Sequence, residues 1–432
     1  MRFPGRRKRT HYFPVEQKNR PSFDIGISLK EQVYILGVDQ LLIDIEINAD
    51  EAFLEKYGLE KGQSQLIYDD VAEKIYRESK EKGYVVGEFA GGAIGNTLHN
   101  YSVLSDDRSV ALGVISKQIE VGDYAYNYIC NTCSQVDFSF LQPVDGPIGR
   151  AFCFITPDGE RTFGISKGNM NELNAEFIPE SVIRESSAVL VSAFLLRDES
   201  APLFQSVMKT IHTAKKYDVP IVLSLGTSSL VKEKKDFLTE FIKNHVTVLA
   251  MNLQEATALT GQSDPLLAGQ VALGLSDLNL ITDGPRGLYL CGYVDSRNAR
   301  ETDQQIHSKS IPEYNRYEYS RPMRFEECDD PVTIFSHINP YMGGPGNITN
   351  TNGAGDAALS ALLHDMASNA HHRSRVPNSP KHGDKHLTYS SLAQISKYCN
   401  RVSYEVLIQN SPRLSRGLPE HEESLESGYW ER

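Results

Sequence analysis

The sequence predicts an α/β fold: a doubly wound, mainly parallel sheet with helices on both faces, joined by a small, partly exposed β-sheet. Two observations carry this expectation. From about residue 187, short apolar runs suited to buried strands alternate with segments of helical period, an alternation that demands crossover connections. Ahead of that point, segments alternate apolar and polar residues with period two, as strands with one open face do.

The elements follow in order. VYILGV, Val33 to Val38, reads as a buried strand, and Ile43-Asp44-Ile45-Glu46-Ile47 alternates so that Asp44 and Glu46 share one face. The runs Arg150 to Thr156 and Arg161 to Ile165 flank Pro157-Asp158-Gly159-Glu160, a hairpin signal. Strands are expected at Ala188 to Ala193, Ile221 to Leu225, Val246 to Met251 and Leu278 to Thr282. Helices carrying Leu203/Val207/Ile211 and Phe237/Phe241 fall between them. In such sheets ligands bind beyond the carboxyl ends of the strands. Residues 1–30 read as a basic extension, 31–410 as the main domain, with the small sheet, discontinuous in sequence, at about 40–65 and 145–168. Residues 296–345, rich in Tyr, Arg, Pro and acids, read as an insertion with Val332 to Ile338 as its clear strand. Residues 411–432 read as a polar tail that wraps the surface or dangles.

Composition narrows the function classes. The 432 residues are 40% hydrophobic and 23% charged, ordinary for a folded chain, with a net charge of -12 that disfavours nucleic acid and anionic membranes as partners. The basic Arg6 to Arg9 cluster is followed by no apolar signal core, and the longest apolar run is too short to span a bilayer, so a cytoplasmic protein is expected. Six scattered cysteines fit reduced thiols; Cys130 and Cys133 form a CxxC that lacks the second ligand pair a structural zinc requires. His364, His371 and His372 lack acidic residues at metal-ligand spacing.

Four motifs carry chemistry. In NTNGAGD, Gly353, Ala354 and Gly355 precede a helix, so backbone N–H groups and the helix dipole can form an anion site. Asp356 beside it either favours the dipole or accepts a proton from a hydroxyl attacking phosphorus. Gly91-Gly92-Ala93-Ile94-Gly95-Asn96 is a tight helix-entry turn or a place where substrate hydroxyls meet backbone. Asn252-Leu253-Gln254-Glu255 is a helix cap, or a cap whose Glu255 also orients water on a phosphate-bound magnesium. Thr282-Asp283-Gly284-Pro285-Arg286-Gly287 is a hairpin turn whose hydroxyl and N–H groups could hold a nucleotide phosphate.

In that order, GGAIGN, NLQE, TDGPRG and NTNGAGD resemble the ribokinase-like carbohydrate and nucleoside kinases, the PfkB family, over about Val33 to Gln409. The resemblance implies a ribokinase-like fold and a phosphotransferase. Asp356 would be the catalytic base, with Gly353, Ala354 and Gly355 as anion hole. Asp44 would hold two ribose hydroxyls, with Asp39 as a second candidate, and Gly91, Gly92 and Asn96 would form the sugar-binding turn. Asn252 and Glu255 match the motif tied to magnesium and phosphate, Thr282, Asp283, Gly284 and Gly287 the nucleotide side, and Arg161 a lid arginine. ATP is the implied co-substrate with Mg²⁺; a monovalent cation requirement and a homo-oligomer are left open. The implied reaction is phosphorylation of the 5′-hydroxyl of inosine or guanosine in purine salvage. The alternatives are the same chemistry on adenosine or a free sugar, and a non-catalytic nucleoside-binding protein; a dinucleotide enzyme would rest on glycines and a parallel sheet alone. Asn350 departs from the family pattern, which commonly has Asp there.

Overall fold

A computed structural model describes residues 33–302, 311, 314–341 and 347–418. The basic cluster at Arg6 to Arg9, parts of the expected insertion and the tail beyond residue 418 lie outside the described residues.

Strand Ile35–Val38 lies between Ser109–Ser116 and Val189–Ser192, parallel to both. Outward from Val189–Ser192 the order continues through Ile221–Ser224, Val248–Asn252 and Leu278–Thr282, all parallel, then turns antiparallel through Leu288–Asp295 and Pro331–Ile338. Val136–Asp137 and Leu141–Val144 pair with Ser109–Ser116 at the other side, completing ten strands. Because the chain runs outward in both directions from Ile35–Val38, a crevice opens at the carboxyl end of this strand, where Asp39 follows. The expected insertion is thus partly built into the sheet, since Pro331–Ile338 returns as its edge.

Alternate side chains of the central strands enter opposite cores. Leu36, Val38, Val189, Val191, Leu223 and Leu249 pack with Pro202–Lys216 and Lys235–His245. Ile35, Leu190, Val222, Val248 and Leu280 pack instead with Ala93–Ser105, Ala354–Arg375 and Leu392–Leu407. Burial of both faces explains why these strands read as continuous apolar runs.

The second sheet has five strands, ordered Ser64–Leu66, Arg161–Ser166, Gly149–Ile155, Leu42–Asn48 and Val85–Ala90. Its inner face, with Ile43, Ile45, Ile47, Phe152 and Phe154, packs on Glu51–Lys56 and Asp69–Glu81. Val85–Ala90 belongs to it although the sequence expectation stopped at about residue 65. Those six residues include Gly87 and Glu88 and carry no clean alternation, so pairing with Leu42–Asn48 decides the strand.

One expectation is corrected outright. The chain from Ser411 does not simply wrap the surface: Arg413 is 4% and Leu414 2% exposed, and Leu414 joins the core beside Ala93–Ser105 and Ala354–Arg375. Leu362, fully buried on the helix Ala354–Arg375, measures how strongly that core holds the site: Leu362→Ala should lower the unfolding free energy by about 2–5 kcal/mol in urea titrations.

Candidate active site

The chain leaves the small sheet at Ala90 and enters the helix Ala93–Ser105 through Gly91 and Gly92. A Cβ on Gly91 would stand 2.3 Å from Asp44 Oδ2, so the missing side chain is what lets this carboxylate lie against the turn. Gly92, at φ 85°, sits in a left-handed region that favours glycine and begins the helix. One turn in, Asn96 donates from Nδ2 to Asp356 Oδ2 at 3.2 Å, joining residues 260 positions apart. The predicted sugar turn, Asp44 and the predicted base therefore meet at one place.

Asp356 lies in the first turn of Ala354–Arg375, whose cap Gly353 has φ 76° and no side-chain acceptor. A Cβ on Gly353 would stand 2.4 Å from the Pro412 carbonyl, whereas the position a Gly355 Cβ would take has nothing within 4 Å. The first-turn N–H groups of a helix have no intrahelical partner, so an open helix start of this kind suits an anion. Desolvation, with the charge of Asp39, pushes Asp356 up to about 7 against the pull of Asn96 and Arg413. Desolvation likewise raises Asp44 to about 7, with Asp356, Glu46 and Asp39 adding repulsion and Arg413 opposing it.

Asp39 stands behind the turn. It is 2% exposed, accepts from the Tyr128 hydroxyl at 2.9 Å, and is pushed by burial up to about 6 despite Tyr128, Arg413 and backbone N–H groups of Gly95 and Gln40. Of the two aspartates weighed for the ribose, Asp44 is the less enclosed.

A polar clasp ties the small sheet to the loop that precedes Gly353. Glu46 accepts from Asn350 Nδ2 at 3.2 Å and Asn352 Nδ2 at 3.1 Å. Arg161, at the start of the hairpin's second strand, donates to Asn350 Oδ1 and Thr351 Oγ1, each at 3.4 Å, and to Asn352 Oδ1. Asn350 also donates to the Asn410 carbonyl at 3.0 Å and accepts from the Asn352 N–H at 2.9 Å. An amide suits this position: it donates a hydrogen bond to Glu46 and accepts one from Arg161, whereas an aspartate would repel Glu46. Glu46 was legible only as sharing a face with Asp44.

Asn252 and Glu255 form the expected reciprocal cap. The Asn252 N–H donates to Glu255 Oε2 at 3.0 Å, Asn252 Nδ2 to Oε1 at 2.6 Å, and the Glu255 N–H to Asn252 Oδ1 at 2.9 Å. Desolvation raises Glu255 to about 7, and the Asp356 charge adds to it, so the two carboxylates sense each other. Asn252 and Thr282 are register partners on adjacent strands, which brings the start of the TDGPRG turn beside the cap. Asp283 is engaged by Arg286 through two contacts of 2.8 Å. Gly284 and Gly287 have φ 49° and 90°, and a Gly287 Cβ would stand 1.9 Å from the Ile338 carbonyl.

Among the described residues no group of three or more His, Cys, Asp or Glu is placed to hold a metal. Glu255, with both oxygens accepting hydrogen bonds, fits a magnesium ion carried by phosphates and reached through water rather than one caged by protein. Cys130 and Cys133 are free thiols, His364 faces the Tyr398 hydroxyl at 2.7 Å, and His372 lies 2.6 Å from His382. None of these groups joins the site. The functional neighbours that sequence reasoning missed are Tyr128, Thr132 and Arg413. Arg413 donates to Asn96 Oδ1 at 2.9 Å, Thr132 Oγ1 at 2.6 Å and the Gly91 carbonyl at 3.1 Å. Its stretch, SPRLSRG, is recognisable but has the composition of a surface tail, which gives the arginine no role.

Comparison with known proteins agrees with this architecture. The pfkB family carbohydrate kinase model matches residues 65–313. The chain is 53% identical over 439 aligned residues, covering 100% of both proteins, to the guanosine-inosine kinase of Escherichia coli (strain K12). Among solved structures it is similar to the adenosine kinase from Sinorhizobium meliloti, with TM-score 0.66 and 22% identity over 90% of this chain and 97% of that one. It is also similar to the Anopheles gambiae adenosine kinase, with TM-score 0.62 and 16% identity over 87% and 96%. At such identities the solved structures speak for the ribokinase-like fold. The family match over more than half the chain, and the end-to-end relative, go further: this protein belongs to the pfkB family of carbohydrate kinases.

Proposed function

We propose that this kinase transfers the γ-phosphoryl group of ATP to the 5′-hydroxyl of guanosine and inosine, giving the nucleoside monophosphates and ADP in purine salvage. The end-to-end similarity to a guanosine-inosine kinase supports the acceptor. The observation that carries the chemistry is the Asn96–Asp356 hydrogen bond, which sets the sugar turn beside the base.

In this reading Asp44 accepts hydrogen bonds from the ribose 2′- and 3′-hydroxyls, and the Gly91–Gly92 turn lets the sugar approach the backbone. The 5′-oxygen attacks the γ-phosphorus; an O–P bond forms while the bond to the bridging oxygen breaks, and ADP leaves with that electron pair. Asp356 takes the hydroxyl proton, and its raised pKa matches a base working near neutrality. The N–H groups of Gly353, Ala354 and Gly355 receive charge on the moving phosphoryl group. Magnesium, when bound with ATP, supplies further charge neutralisation, and Asn252 and Glu255 would hold it through water, with the Thr282–Gly287 turn beside the nucleotide. The five-stranded sheet serves as the lid, fastened through Glu46 and Arg161 to Asn350 and Asn352, and excludes water from the transfer. The free state of all six cysteines suits a reducing cytoplasm.

A panel of nucleosides and sugars with ATP and magnesium tests the acceptor: guanosine and inosine should give the highest kcat/KM, and faster turnover of adenosine or ribose would sink the assignment. Asp356→Asn should lower kcat by on the order of 10²–10⁴ while guanosine affinity by calorimetry changes little. Unchanged turnover would remove Asp356 from its role. The pH profile offers a third check. A base raised to about 7 is ionised above that pH and protonated below it, so kcat/KM should fall as pH drops through about 7. An acidic limb near pH 4, the ordinary aspartate range, would contradict it.

A further inference from the structure

We propose that Arg413, delivered by the C-terminal segment, is a positioning residue for the nucleoside turn and the counter-charge of the aspartates gathered at the site. The inference rests on the reading of that site as the place where nucleoside and base meet.

The geometry is that of a built-in support. Arg413 is 4% exposed, and each hydrogen bond of its fork goes to a neutral acceptor: Asn96 Oδ1, Thr132 Oγ1 and the Gly91 carbonyl. Asn96 is thereby gripped from both ends, since its Oδ1 takes the guanidinium and its Nδ2 serves Asp356. The amide cannot turn over without losing both bonds. Holding the Gly91 carbonyl fixes the backbone against which Asp44 lies. The guanidinium also lies 4.9 Å from the Tyr128 ring centre, and Gly95 leaves it room, because a Cβ there would stand 2.8 Å from Arg413 Nη2. Neutral partners leave the Asp44 and Asp356 carboxylates open to substrate, while the positive charge still acts on them through space. A buried guanidinium is costly unless it is hydrogen-bonded and its charge opposed; here each of its nitrogens has an acceptor, and the aspartates at the site supply the opposing charge.

The segment bearing Arg413 is anchored on both sides of the seam. The Leu414 N–H donates to Asn100 Oδ1 at 2.8 Å. His99 Nδ1 accepts from the Cys133 N–H at 3.0 Å, so Nε2 carries the proton and donates to the Leu414 carbonyl at 2.8 Å. Pro412 rests against Gly353, at the start of the catalytic helix. The C-terminal strap thus touches the sugar-turn helix and the catalytic loop together.

The charged and titratable groups around Arg413 are Asp39, Asp44 and Asp356, with Tyr128 and His99; Glu46 faces Asp44, and Glu255 faces Asp356. His99 is held at about 4 by burial and by Arg413, so it is neutral near pH 7. Arg413 is therefore the cation that opposes the carboxylates at the turn.

Three variants separate positioning from mere stability. Arg413→Met removes the charge, so the acidic limb of kcat/KM should move upward by about one pH unit, with a raised KM for guanosine. Arg413→Lys keeps the charge but not the fork: the limb should stay near its original pH while KM still rises. Leu414→Ala loosens the strap and should lower the melting temperature without moving the limb. Carbon-13 titration of aspartate carboxyls in the ligand-free Arg413→Met protein, assigned through Asp44→Asn and Asp356→Asn, reads the same charge without any substrate. That arm remains decisive even if guanosine proves to be the wrong acceptor. A folded Arg413→Met protein with unchanged carboxyl titrations, or one whose limb and KM match the parent, overturns the proposal; if Arg413→Met does not fold, a limb shift in Arg413→Lys equal to the whole expected change does so too.

Discussion

The crowding of carboxylates at the seam between the two sheets is the constraint on which the site depends. Asp39, Asp44 and Asp356 are taken out of bulk water, and the charges of Asp39 and Asp356 raise their neighbours further. Such a cluster holds together only if surrounding groups donate to it. Tyr128 and the Gly95 N–H serve Asp39, Asn96 serves Asp356, and Arg413 supplies the opposing charge. In the proposed reading, what remains on Asp44 and Asp356 is hydrogen-bonding capacity for substrate, and the raised value of Asp356 suits a base near neutrality.

The glycines follow from the same constraint. Gly91 lets Asp44 reach the backbone and Gly95 makes room for the Tyr128 hydroxyl and Arg413; Gly353 accommodates Pro412 at the helix entry. Each lies where two chain segments come closer than a side chain permits. Gly355 differs, for its side faces open space.

The clasp between the small sheet and the loop that precedes Gly353 uses the amide of Asn350. With an amide at Asn350, the nearby negative charge belongs to Glu46, on the strand that also carries Asp44. Arg161 reaches the same loop from the hairpin. Asp44 at the turn and Glu46 on the Asn350–Asn352 loop sit two residues apart, so a single strand ties the two places together.

The sequence by itself determined the α/β alternation, the hairpin and the order of the glycine turns and caps, because strand periodicity, glycine turns and helix caps are set by residues within a few positions of each other; it left Asp356 open between a helix-dipole role and a base. Asp44 and Glu46 were even assigned to one face. It could not show what Asn350 bonds to or single out Arg413. Those depend on contacts such as Asn96 with Asp356, 260 positions away, and Arg413 with Gly91, 322 positions away. A charged residue in a polar stretch looks the same whether water or a buried turn receives its hydrogen bonds. Only the packed fold, by bringing the C-terminal strap against the sugar turn, decided which it is.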